Sequence, residues 1–144
     1  YTLSLHDALP IFGKANVLAE GRDAAIIACG PIVHEALLAR RQLKELGIVA
    51  RVINMHTVKP LDEAAVLAAA AETGAIVTCE EHQIAGGLGG AVAELLVRKR
   101  PAPVEMIGIH DRFGESGTPE ELALRYGLTA CDIAAAVRRA LGRK

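Results

Sequence analysis

Short apolar runs alternate with longer segments of helical period along most of the chain. Residues 17–19 form a brief apolar run closed by Glu20-Gly21-Arg22-Asp23, and residues 24–29 form a nearly pure one that ends at Gly30-Pro31. Apolar runs of this length bounded by turn residues predict strands. A helix is predicted over 32–46, with Val33, Leu37, Leu43 and Leu46 as its apolar side and Gly47 as its stop. Residues 48–53 predict the next strand, interrupted by Arg51. Asp62 is the expected N-cap of a second, alanine-rich helix, with Leu61 and Val66 as its hydrophobic staple and Gly74 as its end.

The stretch from Ala75 to Val97 organises the rest. Residues 75–79 predict a buried strand, Glu80-Glu81-His82-Gln83 a polar edge beyond it, and Gly86-Gly87-Leu88-Gly89-Gly90 the turn into a third helix. Leu88, Ala91, Val92, Leu95 and Leu96 share that helix's inner face, and Glu94 lies on its outer one. Pro101 and Pro103 separate it from a strand at 104–109. A polar loop with one aromatic follows, His110-Asp111-Arg112-Phe113-Gly114-Glu115-Ser116-Gly117. Thr118-Pro119-Glu120-Glu121 is a full helix-start signal and Thr129-Ala130-Cys131-Asp132 a weaker one; Ile133, Val137, Ala140 and Leu141 define the last helix's inner face. Strands joined by helical crossovers predict a three-layer α/β/α domain with helices on both faces of the sheet. The first strand joins the second through only a few residues, so it is expected to run antiparallel to the other four.

Composition narrows the function. The chain has 144 residues, enough for one domain with a sizeable core; 51% are hydrophobic but only 3% aromatic, so Ala, Val, Leu and Ile must build it. Sixteen basic and seventeen acidic residues leave a formal charge of -1. With no basic field and no aromatic stacking platform, no nucleic-acid partner is expected. No apolar run approaches the roughly 18 residues of a membrane span. Cys29, Cys79 and Cys131 are widely separated and form no CxxC pair, which predicts reduced, buried thiols in a cytoplasmic protein. Residues 1–11 fit none of the periodic pattern and resemble translated sequencing-adapter DNA. They are expected to be a non-native leader, with the domain occupying 12–144 and its natural upstream sequence missing.

Candidate chemistry gathers at the carboxyl ends of the strands. Glu80, Glu81 and His82 could form a proton relay, His110 and Asp111 another, and His56 and Lys59 lie on the same edge. His34 reads as solvated or capping. No HExxH, nucleophile elbow or cysteine–histidine pairing supports a self-sufficient enzyme. The glycine cluster is neither GxGxxG nor GxxxxGK[ST]. Close packing, a subunit or domain contact, and direct anion binding all remain open readings of it, although Glu80 and Glu81 disfavour an anion. A binding or assembly domain fits these residues better than a catalytic one.

Several motifs taken together carry a resemblance. Gly21-Arg22-Asp23, Val58-Lys59-Pro60-Leu61-Asp62, Val77-Thr78-Cys79-Glu80-Glu81-His82 with Gly86-Gly87-Leu88-Gly89, and Ile107 to Phe113 resemble, in this order and spacing, the C-terminal domain of transketolase-type thiamine diphosphate enzymes. Glu115 to Leu122 and Tyr126-Gly127-Leu128 resemble most the C-terminal subunit of a split transketolase. The equivalent domains of deoxyxylulose-phosphate synthase and 2-oxoacid dehydrogenase E1 β subunits are near alternatives, and a stand-alone small-ligand or nucleotide-binding domain is the third reading. The resemblance implies a five-stranded mixed sheet with its first strand antiparallel, and a role in assembling an enzyme that transfers two-carbon ketol units between sugar phosphates. Thiamine diphosphate and Mg would be held by the pyrophosphate- and pyrimidine-binding domains or subunits, in a homodimer or heterotetramer. No catalytic, cofactor or metal residue is therefore assigned to this chain. Glu80, Glu81, His82, Gly86, Gly87, Gly89 and Gly90, with the adjoining His110, Asp111, Arg112 and Phe113, are the expected interface.

Overall fold

The structure, a computed structural model, describes residues 10–144. Of the leader expected at 1–11, residues 1–9 lie outside the described residues. Ile11 accepts a hydrogen bond from the Lys14 amide, and the chain then enters β1 (Asn16–Ala19). β2 (Ala24–Ala28) leads through a 3-10 turn at Gly30–Ile32 into α1 (Val33–Glu45). β3 (Ala50–Asn54), α2 (Glu63–Thr73), β4 (Ile76–Gln83), α3 (Leu88–Lys99), β5 (Val104–Ile109), α4 (Pro119–Tyr126) and α5 (Ala130–Leu141) follow. The sheet order is β1-β3-β2-β4-β5, parallel throughout except for β1, which pairs antiparallel with β3.

Both faces of the sheet are covered, as the crossovers require. One layer joins Ala24, Ile26, Ala28, Val77 and Cys79 to α1 and α5; the other joins Ala25, Ile27 and Ile76 to α2 and α3. With so few aromatics, alanines do much of the close contact. On α1 the buried side is Ala36, Ala39 and Leu43, rather than the Val33–Leu37–Leu43–Leu46 set expected. Val33 and Leu37 only flank the core, and Leu46 is exposed because it lies past the last helical turn, where Gly47 reverses the chain at φ 78°. Small residues win the inner face because they let the helix approach the sheet, and dispersion falls steeply with separation.

The caps follow their sequence signals. Asp62 accepts from the Ala65 amide and also from Ala15, tying the chain's entry to the start of α2. Thr118 with Glu121, and Thr129 with Asp132, form reciprocal capping boxes, so the second signal is as complete as the first. At the β5 edge, Glu105 accepts from Arg139 and Arg143; burial raises its carboxyl pKa, but the two hydrogen bonds and charges together hold it below the usual range. No described helix is long and apolar enough to cross a membrane.

Candidate functional site

β4 does not end where its apolar run ends. It continues through Glu80 to Gln83, with a break in register beyond Cys79, because β5 remains alongside and Gln83 still pairs with Ile109. Successive strand residues face opposite sides. Glu80 therefore shares the inner side of Ile76 and Thr78 beneath α3 and is wholly buried, and Glu81, on the opposite side, is exposed; His82 is exposed too, within the stretch where the register with β5 breaks. Oε1 of Glu80 accepts from the Leu88 amide at 2.8 Å, and Oε2 from Gly89 at 2.7 Å. The first turn of a helix has unpaired N–H groups and a positive dipole end, and one carboxylate from the neighbouring strand satisfies both needs.

This arrangement bears on two of the open readings. A relay through Glu80, Glu81 and His82 is not assembled: both Glu80 oxygens accept from α3 amides, and no hydrogen bond joins the three side chains among the described residues. Direct anion binding at the helix start is further disfavoured, since the Glu80 carboxylate already occupies the Leu88 and Gly89 amides. The glycine turn is shaped around the same carboxylate. Gly86 adopts φ +80°, and a Cβ on Gly87 would lie 1.9 Å from Oε1 of Glu80 and 2.8 Å from the Gln83 carbonyl oxygen. A Cβ on Gly89 would meet Oγ1 of Thr78 at 2.9 Å, while Gly90 has only the Ile84 carbonyl, at 3.8 Å. Packing thus accounts for Gly87 and Gly89, and backbone conformation for Gly86; neither accounts for Gly90.

An open cleft of about 650 Å³ lies over this edge, lined among others by Cys29, Val58, Glu80, Glu81, His82, Gly86, Gly87 and Ile109. A second, of about 550 Å³, shares Val58, Gly86 and Gly87 and adds Lys59, Gly90, Glu94 and Arg98. Lys59 is exposed on this second cleft, and His56, half-buried nearby, places Nδ1 3.4 Å from Oγ1 of Thr57. His34 is exposed on α1, as its solvated reading implies.

The His110–Phe113 loop stands at the same edge. The Gln83 side chain clamps it, accepting from the Asp111 amide at 2.8 Å and donating to the Arg112 carbonyl at 2.9 Å. Asp111 holds φ 49°; Arg112 lies 5.4 Å from the Tyr126 ring centroid and pairs with Glu115, which Arg125 also binds. Tyr126 Oη donates to the Phe113 carbonyl at 3.1 Å. His110 and Asp111 are exposed, and no hydrogen bond joins their side chains among the described residues, so the second relay is not formed either. Gln83 and Tyr126 are the structural residues the sequence reading missed. Nothing local marks Gln83, because its partners lie about thirty positions away; Tyr126 belongs to the Tyr126-Gly127-Leu128 motif, which by itself gives the ring no role.

The thiols differ from the expectation of three buried groups. Only Cys79 is buried; Cys29 is half-buried in the cleft and Cys131 is exposed in the first turn of α5. Burial pushes the Cys79 thiol pKa strongly up; burial, then Glu80 and Glu81, push up that of Cys29. A brief exposure to iodoacetamide at neutral pH should therefore label Cys131 alone, with Cys29 and Cys79 labelled only after unfolding. Mass mapping checks this, and rapid native labelling of Cys29 would contradict it.

Comparison with known proteins places the arrangement. Residues 13–133 match the family "Transketolase, C-terminal domain". The chain belongs to the transketolase C-terminal domain family. It is 48% identical over 132 residues to the 6-deoxy-6-sulfo-D-fructose transketolase subunit SqwH of Clostridium sp. (strain MSTE9), covering 92% of this chain and 41% of that subunit. It is 49% identical over 124 residues to 1-deoxy-D-xylulose-5-phosphate synthase of Desulforudis audaxviator (strain MP104C), covering 85% of this chain and 19% of that enzyme. A solved structure described as "Split gene transketolase, inactive beta4 tetramer" superposes with a TM-score of 0.88 at 48% identity, covering 90% of this chain and 43% of that one. This transketolase-family domain therefore spans less than half the length of each of these relatives, and its three-layer fold with an antiparallel first strand is the one the motifs implied.

Proposed function

We propose that this domain is the C-terminal assembly part of a thiamine diphosphate enzyme that transfers two-carbon ketol units between sugar phosphates, and that it is not catalytic alone. The observation that carries this reading is the direction of β1. Because β1 is antiparallel, Asn16 pairs with Asn54 at the carboxyl end of β3, so chain arriving from upstream enters at the carboxyl edge of the sheet. Gly13 and Ala15 are pinned there by Thr57 and Asp62. In a longer polypeptide of this family, the preceding domains would lie against the edge that carries Glu81, His82, Gly86, Gly90 and the His110–Phe113 loop. Glu80, Gly87 and Gly89 would support that surface from within. The complete enzyme would form a homodimer or heterotetramer with its pyrophosphate- and pyrimidine-binding domains or subunits.

On this reading the cofactor is held by the other domains, and neither cleft of this chain offers a diphosphate an unopposed cluster of cations. The larger cleft has the exposed Glu81 and no lysine or arginine in its lining, and the smaller one offsets Lys59 and Arg98 with Glu63 and Glu94. Among the described residues, no group of three or more His, Cys, Asp or Glu is placed to hold a metal ion. On this reading the domain's contribution is to position its neighbouring domains.

Two measurements test the proposal together. Calorimetric titration of the isolated chain with thiamine diphosphate and Mg²⁺ should show no saturable binding. A chimera of the Clostridium subunit carrying residues 13–141 of this chain in place of its own domain, combined with its partner subunit, should retain transketolase activity that the truncated subunit lacks. One-to-one cofactor binding by the isolated chain, or an inactive but folded chimera, would overturn the assignment. The similarity to deoxyxylulose-phosphate synthase supports a second reading, the same assembly role in that enzyme, which the corresponding chimera would favour by retaining synthase activity.

A further inference from the structure

Resting on the assembly reading, we infer that Phe113 is the principal anchor of this domain, and that it seats in an apolar socket on the polypeptide that precedes the domain in its longer relatives. Phe113 is 97% exposed, the most exposed of the large apolar side chains described. An aromatic left wholly in water forgoes the stabilisation its burial would bring. A slack loop could fold it back onto the domain, but this loop is held at three successive residues. Gln83 fixes the backbone of Asp111 and Arg112, Arg112 lies over Tyr126, and Tyr126 binds the Phe113 carbonyl. An apolar groove of about 290 Å³ lies nearby, lined by Leu122, Ala123, Tyr126 and Leu128 among others, and Phe113 does not line it.

With the loop backbone already held, burying the ring orders only its own two side-chain torsions, which favours a strong anchor in an association surface. The occupant follows from the entry of the chain. β5 ends, and β1 begins, at the carboxyl end of the sheet, although on its two opposite outer strands, so chain arriving at Gly13 enters at the end on which Phe113 is displayed and must reach across the three inner strands to meet it. Each compared relative has more than half its length beyond the part matched here. The socket is therefore expected in cis, on the preceding polypeptide, rather than on a second copy of this domain. Gly87 and Gly89 contribute by shaping the edge, and the contact itself is carried by the aromatic.

The test uses the isolated chain and the Clostridium chimera, each with Phe113 or with Phe113→Ala, and Leu124→Ala as a control on an exposed α4 residue. In the isolated chain, F113A should leave the thermal midpoint and sedimentation coefficient unchanged. In the chimera, calorimetry should show one coupled transition that F113A splits into two and L124A does not. A coupled F113A chimera would overturn the anchor while leaving the assembly reading intact. An uncoupled chimera with Phe113 in place would overturn both. Loss of stability in isolated F113A would assign the ring a role within the domain, and an isolated dimer abolished by F113A would assign it to a second copy; either result overturns the proposal.

Discussion

Gly87→Leu is expected to lower the melting midpoint of the isolated chain by about 10 °C or more. Overpacking alone costs about 1–3 kcal/mol, and disturbing hydrogen bonds to a charged group adds about 1.5–3 kcal/mol each. For a domain of this size each kcal/mol moves the midpoint by roughly 3–5 °C. The collision is specific: the new Cβ would meet the Glu80 carboxylate first and the Gln83 carbonyl second. Helix register offers no escape, because Gly87 is the N-cap from which α3 starts. Gly90, three residues later, makes the contrast. Gly90→Ala meets only the Ile84 carbonyl, at 3.8 Å, and should stabilise the chain by up to about 1 kcal/mol through helix propensity. Thermal circular dichroism checks both signs. A G87L chain that melts like the unmodified one would mean that Gly87 is reserved for association rather than for the fold.

Glu80→Ala should cost about 3 kcal/mol in denaturant unfolding, with loss of hydrogen-exchange protection at Leu88 and Gly89. Two charge-assisted bonds disappear, and the helix start loses its compensating charge. Water from the open cleft can reach the freed amides, which places the cost near the lower end of about 1.5–3 kcal/mol per bond. Glu80→Gln should recover only part of it: one oxygen still accepts, but an NH₂ then faces the second amide. Aspartate is a methylene shorter and should not span both. The substitutions are also coupled. With Glu80 removed, Gly87→Ala loses its nearest clash, so the double variant should be more stable than the sum of the singles predicts. Strict additivity would show that the carboxylate does not dictate the glycine.

The amino-acid sequence by itself determined the architecture. Apolar runs set the strands, Asp62, Thr118 and Thr129 set helix starts, and the short link between the first two strands implied the antiparallel β1. These signals are local, and each acts within a few residues of where it is written. The ordered motifs added the family. What only the tertiary structure decided concerns polar groups whose partners come from elsewhere. Glu80 follows an apolar run and reads as the exposed end of a strand; it is buried because β5 extends β4 and two amides of α3 arrive within 2.8 Å. The same carboxylate fills the space that a Cβ on Gly87 would need. Gln83 became a loop clamp only when Asp111 and Arg112 came alongside, and that clamp holds the backbone on which Phe113 stands exposed. Periodicity records which face of an element is apolar, but the burial of a charge depends on which donors approach it through space, and no local pattern carries that information.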